Sequence, residues 1–292
     1  MLYLACAVVF SSWLTIAFKI ADRLGISTFQ SIIFNYFTCV ITGMLLEGQV
    51  PEVASITESN WFFWALLMGA MFISVFNLVA YTTKKSGVAI ASVANKLSLV
   101  IPFLFSVFLY NESVTYAKII GVITALIAVL LTCMPSSTNA KKSSGFDWSI
   151  LLLPLLLFIG SGLIDTLIKY VEISFLDENN KNAYIITAFA VAGMIGGVVL
   201  LWKLIAGKER LDPRAVGMGM LIGIPNYFSL WCLVRVLKLN AGNSSSVIPI
   251  INMGIVLFST LIAAFFLQER LSKINVWGIV LSIIAISMIA FG

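Results

Sequence analysis

Long apolar segments separated by short polar links run along almost the whole chain. Each segment has roughly the 20 residues that a helix needs to cross the hydrocarbon core of a bilayer. A polar link rich in Ser and Lys, residues 135–147, lies near the middle of the chain. The pattern predicts ten transmembrane helices with a central linker. The ten segments cover residues 2–20, 28–46, 61–82, 88–110, 115–134, 149–171, 183–205, 215–236, 241–267 and 274–291.

The two halves of the chain repeat a set of residues at a nearly constant spacing, with offsets of 150 to 157 residues. Each half holds five predicted spans, an odd number, so the second half enters the membrane in the opposite orientation. We therefore expect an all-α polytopic membrane protein whose ten transmembrane helices form two inverted five-helix repeats, residues 1–134 and 148–292, joined by the linker. Such folds bind substrate near mid-bilayer, where the repeats meet. A shift of 157 residues relates Asn95 to Asn252, Glu112 to Glu269 and Gly121 to Gly278.

The composition is that of a membrane protein. The chain is 60% hydrophobic and 11% charged, whereas soluble domains carry about 25% charged residues. Because so little polar surface cannot cover a soluble globule, the lipid bilayer is the expected partner. The net charge of +5 is assigned to loops beside lipid headgroups and not to nucleic-acid binding.

Several classes of chemistry lack the residues that they need. The chain contains no histidine, which removes the HExxH metal motif and a Ser–His nucleophile pair. Its four cysteines stand singly without CxxC spacing, so neither a metal site nor a disulfide framework is indicated. The sequence has no Walker A motif, which argues against direct ATP drive. We expect no enzymatic activity and no cofactor.

Two corresponding stretches resemble a known family. FLYNESVTYAKIIG at residues 108–121 and FFLQERLSKINVWG at residues 265–278 are similar to the EamA-type repeat of the drug/metabolite transporter superfamily. The resemblance extends over essentially the whole chain and implies two five-helix repeats and a transporter. It implies no particular substrate, because the superfamily includes exporters of amino acids, drugs and metabolites as well as sugar-phosphate and nucleotide-sugar exchangers.

Orientation in the membrane has two conflicting indications. Most Lys and Arg residues lie in links after odd-numbered spans, which the positive-inside rule assigns to the cytoplasm, with both termini outside. The family resemblance implies both termini inside. Either way, we expect a multi-pass protein of the bacterial cytoplasmic membrane.

Lys96 is the charged residue in the middle of the fourth predicted span. A helix rises about 1.5 Å per residue, so Lys96 lies roughly 12 Å in from residue 88. Ionisable groups at that depth are costly and usually face a cavity or a partner. Helical spacing places Ser92, Asn95, Lys96, Leu99 and Phe103 on one face. We predict a cavity-facing lysine that favours an anionic or zwitterionic substrate; the alternative is that Lys96 snorkels to the interface.

Further polar and aromatic side chains are predicted to complete a substrate site. Asn252 is the repeat mate of Asn95, and Pro102 and Pro249 permit kinks that suit gating. The alternative role for the Asn and Ser residues is hydrogen bonding between helices, and for the aromatic rings packing or anchoring at the interface. The predicted substrate-binding residues are Lys96, Asn95, Asn252, Ser92, Ser245, Asn77, Tyr81, Asn226 and Trp231.

Asp165 and Lys169 form an i, i+4 pair in the sixth span. A membrane carboxylate can lose its charge by protonation, so Asp165 is the predicted site of proton coupling, with Lys169 beside it. The alternative is a structural ion pair near the interface. We expect Glu112 and Glu269, at span ends, to organise turns rather than touch substrate.

These features favour a secondary active transporter, an exporter of a small polar metabolite such as an amino acid or organic anion. Alternating access would be driven by proton coupling or exchange. A lipid or lipid-linked sugar flippase is the alternative, whereas a passive channel or an intramembrane enzyme fits poorly. The pairs Gly193 and Gly197, and Gly219 and Gly223, have the spacing for close helix packing within a monomer, with a weak homodimer as the alternative.

Overall fold

The computed structural model describes residues 2–48, 53–110, 115–133, 148–177, 180–239, 244–269 and 271–291. Every regular element in these ranges is an α-helix. The predicted linker at residues 135–147 and Glu112 lie outside them. The helices are α1 Leu2–Arg23, α2 Thr28–Glu47, α3 Val53–Thr57, α4 Phe62–Ser86, α5 Val88–Leu97, α6 Val100–Tyr110, α7 Tyr116–Cys133, α8 Trp148–Phe175, α9 Lys181–Ile205, α10 Pro213–Leu239, α11 Ser244–Phe265 and α12 Lys273–Phe291.

Seven segments of the described chain are long and apolar enough to cross a membrane. Three further apolar helices are shorter: Tyr116–Thr132, Ile250–Phe265 and Lys273–Ile289. An all-helical membrane protein is thus confirmed, while the ten-span inverted repeat stays a prediction. The seven candidate spans are Leu2–Arg23, Thr28–Glu47, Phe62–Ser86, Val88–Phe105, Leu152–Glu172, Lys181–Ile205 and Pro213–Leu233.

The fourth predicted span is interrupted between α5 and α6. Pro102 has no N–H to offer the carbonyl of Ser98, four residues earlier. That carbonyl instead accepts the N–H of Ile101 at 2.9 Å, a tighter turn than that of an α-helix. The helical face predicted from Ser92 to Phe103 is therefore divided: Ser92, Asn95 and Lys96 lie on α5, and Phe103 belongs to α6.

The chain divides into two compact units, each of which takes segments from both sides of the predicted linker. The first unit consists of Met1–Lys19, Leu78–Leu163 and Ser229–Gly292. The second consists of Ile20–Asn77 and Ile164–Phe228. The compact units are thus not the sequence repeats, whose boundaries stay a prediction.

In the first unit, α7 and α12 pack antiparallel through a glycine on each helix. Gly121, early in α7, meets Ile289 late in α12, where an added Cβ would lie 3.1 Å from the backbone nitrogen. Gly278, early in α12, meets Thr132 late in α7, where a Cβ would lie 2.5 Å from the backbone nitrogen. Small residues allow such close approach. The shift of 157 residues converts one contact into the other.

Two further contacts complete the first unit. Helix α11 packs against both α5 and α12. An apolar cluster joins α1 to the C-terminal part of α10 and to α11. Its fully buried members are Ala7, Cys232, Val236, Ile251 and Ile255.

The second unit is organised around α2, which packs against α9. Gly193 of α9 faces the ring of Phe37, and Gly219 and Gly223 of α10 approach Phe34 and Thr38 of α2. At Gly223 a Cβ would lie 2.6 Å from that of Thr38. The prediction that these glycines pack helices within the bundle is confirmed.

Candidate functional site

The predicted binding face on α5 consists of Ser92, Asn95 and Lys96. Ser92 is only 1% exposed, and its hydroxyl has no hydrogen-bond partner within the described residues. Asn95 and Lys96 are half-buried. Because α5 ends at Leu97, Lys96 lies in its last turn, where the helix dipole favours a positive charge. This face therefore offers a hydroxyl, an amide and a cation within two turns of one helix.

Helix α11, which packs on α5, carries the repeat mate Asn252. Asn252 is half-buried. The residue after it, Met253, corresponds to Lys96 and accepts a hydrogen bond on its sulfur from Ser287 Oγ of α12 at 3.1 Å. The α11 backbone includes Ser245 and Pro249, whose side chains lie outside the described residues. The position that carries charge on α5 thus serves helix packing on α11.

Two predicted aromatic residues of the first unit lie beside cations of their own helices. Tyr81 is 48% exposed, with Lys85 Nζ 5.4 Å from its ring centroid. The Trp231 ring lies 4.8 Å from the Arg235 guanidinium carbon and meets Tyr3 edge-on at 5.8 Å. These contacts agree with a packing role, and substrate binding by the two rings stays a prediction.

The predicted amides of the second unit use their N–H groups within the bundle. Asn77 Nδ2 donates to the carbonyl of Ile73, one turn earlier, at 2.7 Å. Asn226 is 5% exposed, and its Nδ2 donates to Asn35 Oδ1 of α2 at 3.2 Å. The Cys39 thiol donates to the carbonyl of Gly223 at 3.4 Å beside that pair. This buried cluster links α2 to α10, the role that was the alternative for such amides.

Asp165 and Lys169 lie one turn apart on the continuous helix α8. The Asp165 side chain is exposed and that of Lys169 is half-buried. Both fall within the candidate span Leu152–Glu172, which is where a coupling carboxylate would have to lie. Of the predicted set, Asn77, Asn226, Asp165 and Lys169 belong to the second unit and the others to the first.

A charged cluster at the junction of α4 and α5 was not predicted from the sequence. Glu269, which follows α11, accepts the N–H of Val88 on both carboxylate oxygens, at 3.0 and 2.9 Å. Lys19 Nζ lies 3.8 Å from Glu269 Oε1 and donates to the carbonyl of Thr83 at 3.4 Å. The side chains of Lys19 and Glu269 are 16% and 12% exposed. We call Lys19, Thr83, Gly87, Val88 and Glu269 the junction clamp.

The junction clamp matches the charge of each side chain to the helix end beside it. The carboxylate of Glu269 meets the N-terminus of α5, and the ammonium of Lys19 meets the C-terminal carbonyls of α4, the pairings that helix dipoles favour. The expectation that Glu269 organises a turn is thus met at a turn 181 residues away. No local feature of the sequence identifies the Val88 amide as the partner of Glu269.

A second polar network ties together two loops of the second unit. Gln30 Nε2 and Ser27 Oγ each donate to Glu209 Oε1 at 3.0 Å, and Lys203 lies 3.5 Å from the other oxygen. Desolvation raises the pKa of Glu209, but these hydrogen bonds and the lysine charge together hold it below its ordinary value. Hydrogen bonds from the Arg214 side chain lower the pKa of Asp212 in the same loop. This network is structural, and its two carboxylates, Glu209 and Asp212, lie in the link between the candidate spans Lys181–Ile205 and Pro213–Leu233.

The described residues contain no group of three or more His, Cys, Asp or Glu side chains placed to hold a metal ion.

Comparison with known proteins gives a family match over the first part of the chain and a similar fold over its length. Residues 1–134 match the model of the EamA-like transporter family. Over 286 residues the chain is 27% identical to an uncharacterised protein of Haemophilus influenzae, covering 96% of this chain and 94% of that protein. A protein of known crystal structure aligns with a TM-score of 0.60 over 99% of this chain and 96% of its own, at 15% identity. At that identity the likeness concerns the fold alone.

Proposed function

By the match over residues 1–134 the chain is a member of the EamA-like transporter family, within the drug/metabolite transporter superfamily, and we propose that it is a secondary active exporter of a small anionic or zwitterionic metabolite. The family consists of membrane transporters and not of enzymes. An amino acid or an organic anion is the proposed class of substrate. The relative in Haemophilus influenzae supports the bacterial cytoplasmic membrane as its location.

The observation that carries the substrate class is Lys96 on α5. Lys96 is half-buried within the candidate span Val88–Phe105, one turn from the buried hydroxyl of Ser92 and next to Asn95. Charge within a span is costly and is usually retained for function. A lysine with a neighbouring hydroxyl and amide supplies the cation and the hydrogen bonds that a carboxylate needs.

The contacts between α7 and α12 support an inverted repeat as the basis of alternating access. Gly121 meets Ile289 and Gly278 meets Thr132, and each contact is the image of the other under the shift of 157 residues. A self-complementary contact of this kind is what a two-fold relation between equivalent helices produces. We propose that ten spans form two inverted five-helix repeats, as in other carriers of this design.

Asp165 is the proposed coupling residue. Its carboxylate lies within a candidate span and is followed one turn later by Lys169 on the same helix. Proton uptake would remove the charge of Asp165 and change its attraction to a neighbouring cation. Proton coupling and exchange of two solutes are distinguished by whether a pH gradient alone drives transport, and by whether Asp165→Asn abolishes that drive.

Counterflow into proteoliposomes tests the proposal. The probes are radiolabelled L-serine as a zwitterion, succinate as a dianion and glucose as a neutral control. We expect saturable counterflow of serine or succinate, reduced at least about tenfold in Lys96→Gln, because a hydrogen-bonded charge pair contributes at least that factor. The matched control is Lys118→Gln, a half-buried lysine in the first turn of α7, which should stay within about twofold of wild type.

Two results would contradict the proposal. Transport of every solute at the wild-type rate by Lys96→Gln and Lys96→Ala would place substrate recognition elsewhere. Absence of saturable counterflow, combined with movement of labelled lipid between leaflets, would favour the lipid or lipid-linked sugar flippase.

A further inference from the structure

We propose that Glu269 is a positioning residue, which fixes the N-terminus of α5 through the junction clamp. It thereby sets the substrate affinity of the substrate face, by which we mean the predicted binding face of Ser92, Asn95 and Lys96 on that helix. The part that concerns affinity rests on the proposed function. The part that concerns the position of α5 rests on geometry alone and is tested without any substrate.

The first step is the contact between Glu269 and the backbone of α5. Both carboxylate oxygens accept the Val88 N–H, the first amide of the helix, which has no acceptor within α5 itself. At 12% exposure, little water is available to replace the carboxylate. Loss of Glu269 therefore leaves a poorly hydrated N–H at the start of α5.

The second step is that the two charged residues of the junction clamp, Lys19 and Glu269, cannot exchange places. Lys19 donates to the carbonyl of Thr83, which also accepts the N–H of Gly87 at 3.0 Å, so the ammonium stabilises the end of α4 while the carboxylate stabilises the start of α5. A lysine in place of Glu269 has no acceptor for the Val88 N–H, and a glutamate in place of Lys19 has no donor for the Thr83 carbonyl. The junction clamp differs in this respect from an ordinary ion pair, in which the two charges are interchangeable.

The third step is the tight packing at Gly87, the residue that connects α4 and α5. Gly87 has φ of +100°, which L side chains rarely adopt, and a Cβ there would lie 2.8 Å from Glu269 Oε2. The carboxylate thus occupies the space that a side chain at position 87 would need, so the turn between α4 and α5 requires glycine while Glu269 is in place.

The fourth step connects the junction to the substrate face. Helix α5 has 10 residues and is therefore about 15 Å long, with Val88 at one end and Lys96 in the last turn. Beyond Leu97 the helix is interrupted before α6 begins, so α5 is a short rigid rod fixed at its start. A change in the position of Val88 is carried along this rod to Ser92, Asn95 and Lys96.

Glu269 also connects α11 with α5, the two helices of the first unit that carry Asn252 and Lys96. It follows α11, which packs on α5 and carries Asn252. The carboxylate therefore ties the segment that follows α11 to the start of α5.

The experiment uses the full-length protein in nanodiscs and in proteoliposomes. The variants are Glu269→Ala, Glu269→Gln, and the charge swap Lys19→Glu with Glu269→Lys. The matched control is Glu172→Gln, which removes the carboxylate of the more exposed ion pair between Glu172 and Lys181. Folding of each variant is checked by size-exclusion chromatography before the measurements.

The first measurement is hydrogen exchange of the Val88 amide, with D2O as the only probe. We expect exchange at least about tenfold faster in Glu269→Ala, from loss of a hydrogen bond to a charged group, and a smaller change in Glu269→Gln, which keeps one acceptor oxygen. Glu172→Gln should not differ from wild type. Unchanged Val88 exchange in Glu269→Ala would overturn the proposal.

The second measurement is counterflow of L-serine and succinate. We expect Glu269→Ala to raise KM by about tenfold with a maximal rate within about twofold of wild type, and Glu269→Gln to recover most of the affinity. Faster exchange with unchanged KM would show that the clamp does not position the substrate face. A general loss of packing would lower the maximal rate through loss of folded protein and would leave KM unchanged.

The charge swap decides between a directional clamp and a simple ion pair. In the charge-swap variant we expect the Val88 amide to exchange its hydrogen as fast as in Glu269→Ala. A wild-type exchange rate in this variant would overturn the proposal. If the swap is not obtained folded, the comparison of Glu269→Ala with Glu269→Gln decides the same point through rescue by the remaining oxygen. If wild type transports none of the probes, the proposed function fails, while the exchange of Val88 still decides the clamp.

Discussion

Replacing Gly278 by alanine should destabilise the contact between α7 and α12. A Cβ at this position would lie 2.5 Å from the backbone nitrogen of Thr132 and 2.9 Å from its Cα. Non-bonded atoms prefer about 3.5–4.0 Å, so the helices must separate locally by roughly 1 Å. Backbone atoms cannot rotate away as a side chain could. We expect Gly278→Ala to lower the free energy of unfolding by about 1–3 kcal/mol, the usual cost of overpacking.

The structure also fixes how neighbouring substitutions should rank. At Gly121 the nearest atom is Ile289 Cγ1 at 2.9 Å, and the nearest backbone atom is 3.1 Å away instead of 2.5 Å, so Gly121→Ala should cost less than Gly278→Ala. The matched control is Gly217→Ala in α10, where a Cβ would meet no atom within 4 Å. There, alanine should stabilise the protein by about 0.4–1 kcal/mol, because it restricts the unfolded chain and favours the helix.

The assay is unfolding in mixed micelles of dodecyl maltoside and SDS, followed by far-UV circular dichroism and tryptophan fluorescence. Thr132→Ala in the Gly278→Ala background separates the two sources of the clash, since it removes Oγ1 and leaves the backbone nitrogen. We expect at most partial recovery. Wild-type stability of Gly278→Ala, or equal destabilisation by Gly217→Ala, would refute the close approach of α7 and α12.

Three further predictions follow from other contacts. A double-mutant cycle with Asn35→Ala and Asn226→Ala should give a coupling energy of about 1 kcal/mol in the same unfolding assay, and no coupling would contradict their hydrogen bond. Gly87→Ala should cost about 1–3 kcal/mol, because φ of +100° with ψ of 165° is a backbone conformation almost restricted to glycine; a neutral result would contradict the geometry of the junction. The pKa of Glu209 is lowered in the fold, so its carboxylate stabilises the protein above its ordinary pKa of 4.5, and the contribution is lost as pH falls through the lowered value. Stability measured against pH in Glu209→Gln should lack this acid-side loss, and an unchanged profile would exclude the contribution.

The pattern of apolar segments was sufficient to predict the helices and several of their contacts. The shift of 157 residues related Gly121 to Gly278, but the helix contacts of these two glycines were not predicted. The packing of Gly193, Gly219 and Gly223 was predicted from glycine spacing that suits close helix approach. The spacing of residues along one helix identifies which of them share a face, and this information is available from the sequence of that helix alone.

The partner of Glu269 could not be predicted in the same way. The carboxylate binds an amide 181 residues away, and backbone amides carry no signature in the sequence. Asn226 illustrates the same limit: its spacing gives its helix face, but its hydrogen bond depends on how α10 packs on α2. Pro102 was predicted to permit a kink in the fourth span, but the interruption after Leu97 was not predicted. The missing N–H of Pro102 acts at the carbonyl of Ser98, four residues earlier.

In the first unit, the contacts between α7 and α12 follow the sequence repeat, whereas the charge on α5 has no counterpart at the corresponding position of α11. The helix contacts of Gly121 and Gly278 interchange under the repeat, so packing is common to both halves. At the next pair of equivalent helices the symmetry ends, because Lys96 on α5 corresponds to Met253 on α11, whose sulfur bonds to Ser287. A two-fold scaffold that carried a cation on both helices would bring two like charges into one low-dielectric site, which is unfavourable unless two anions are bound. Under the proposed function, the cation on α5 alone of the two helices suits an anionic or zwitterionic substrate, and the role proposed for the junction clamp is to hold that helix in place.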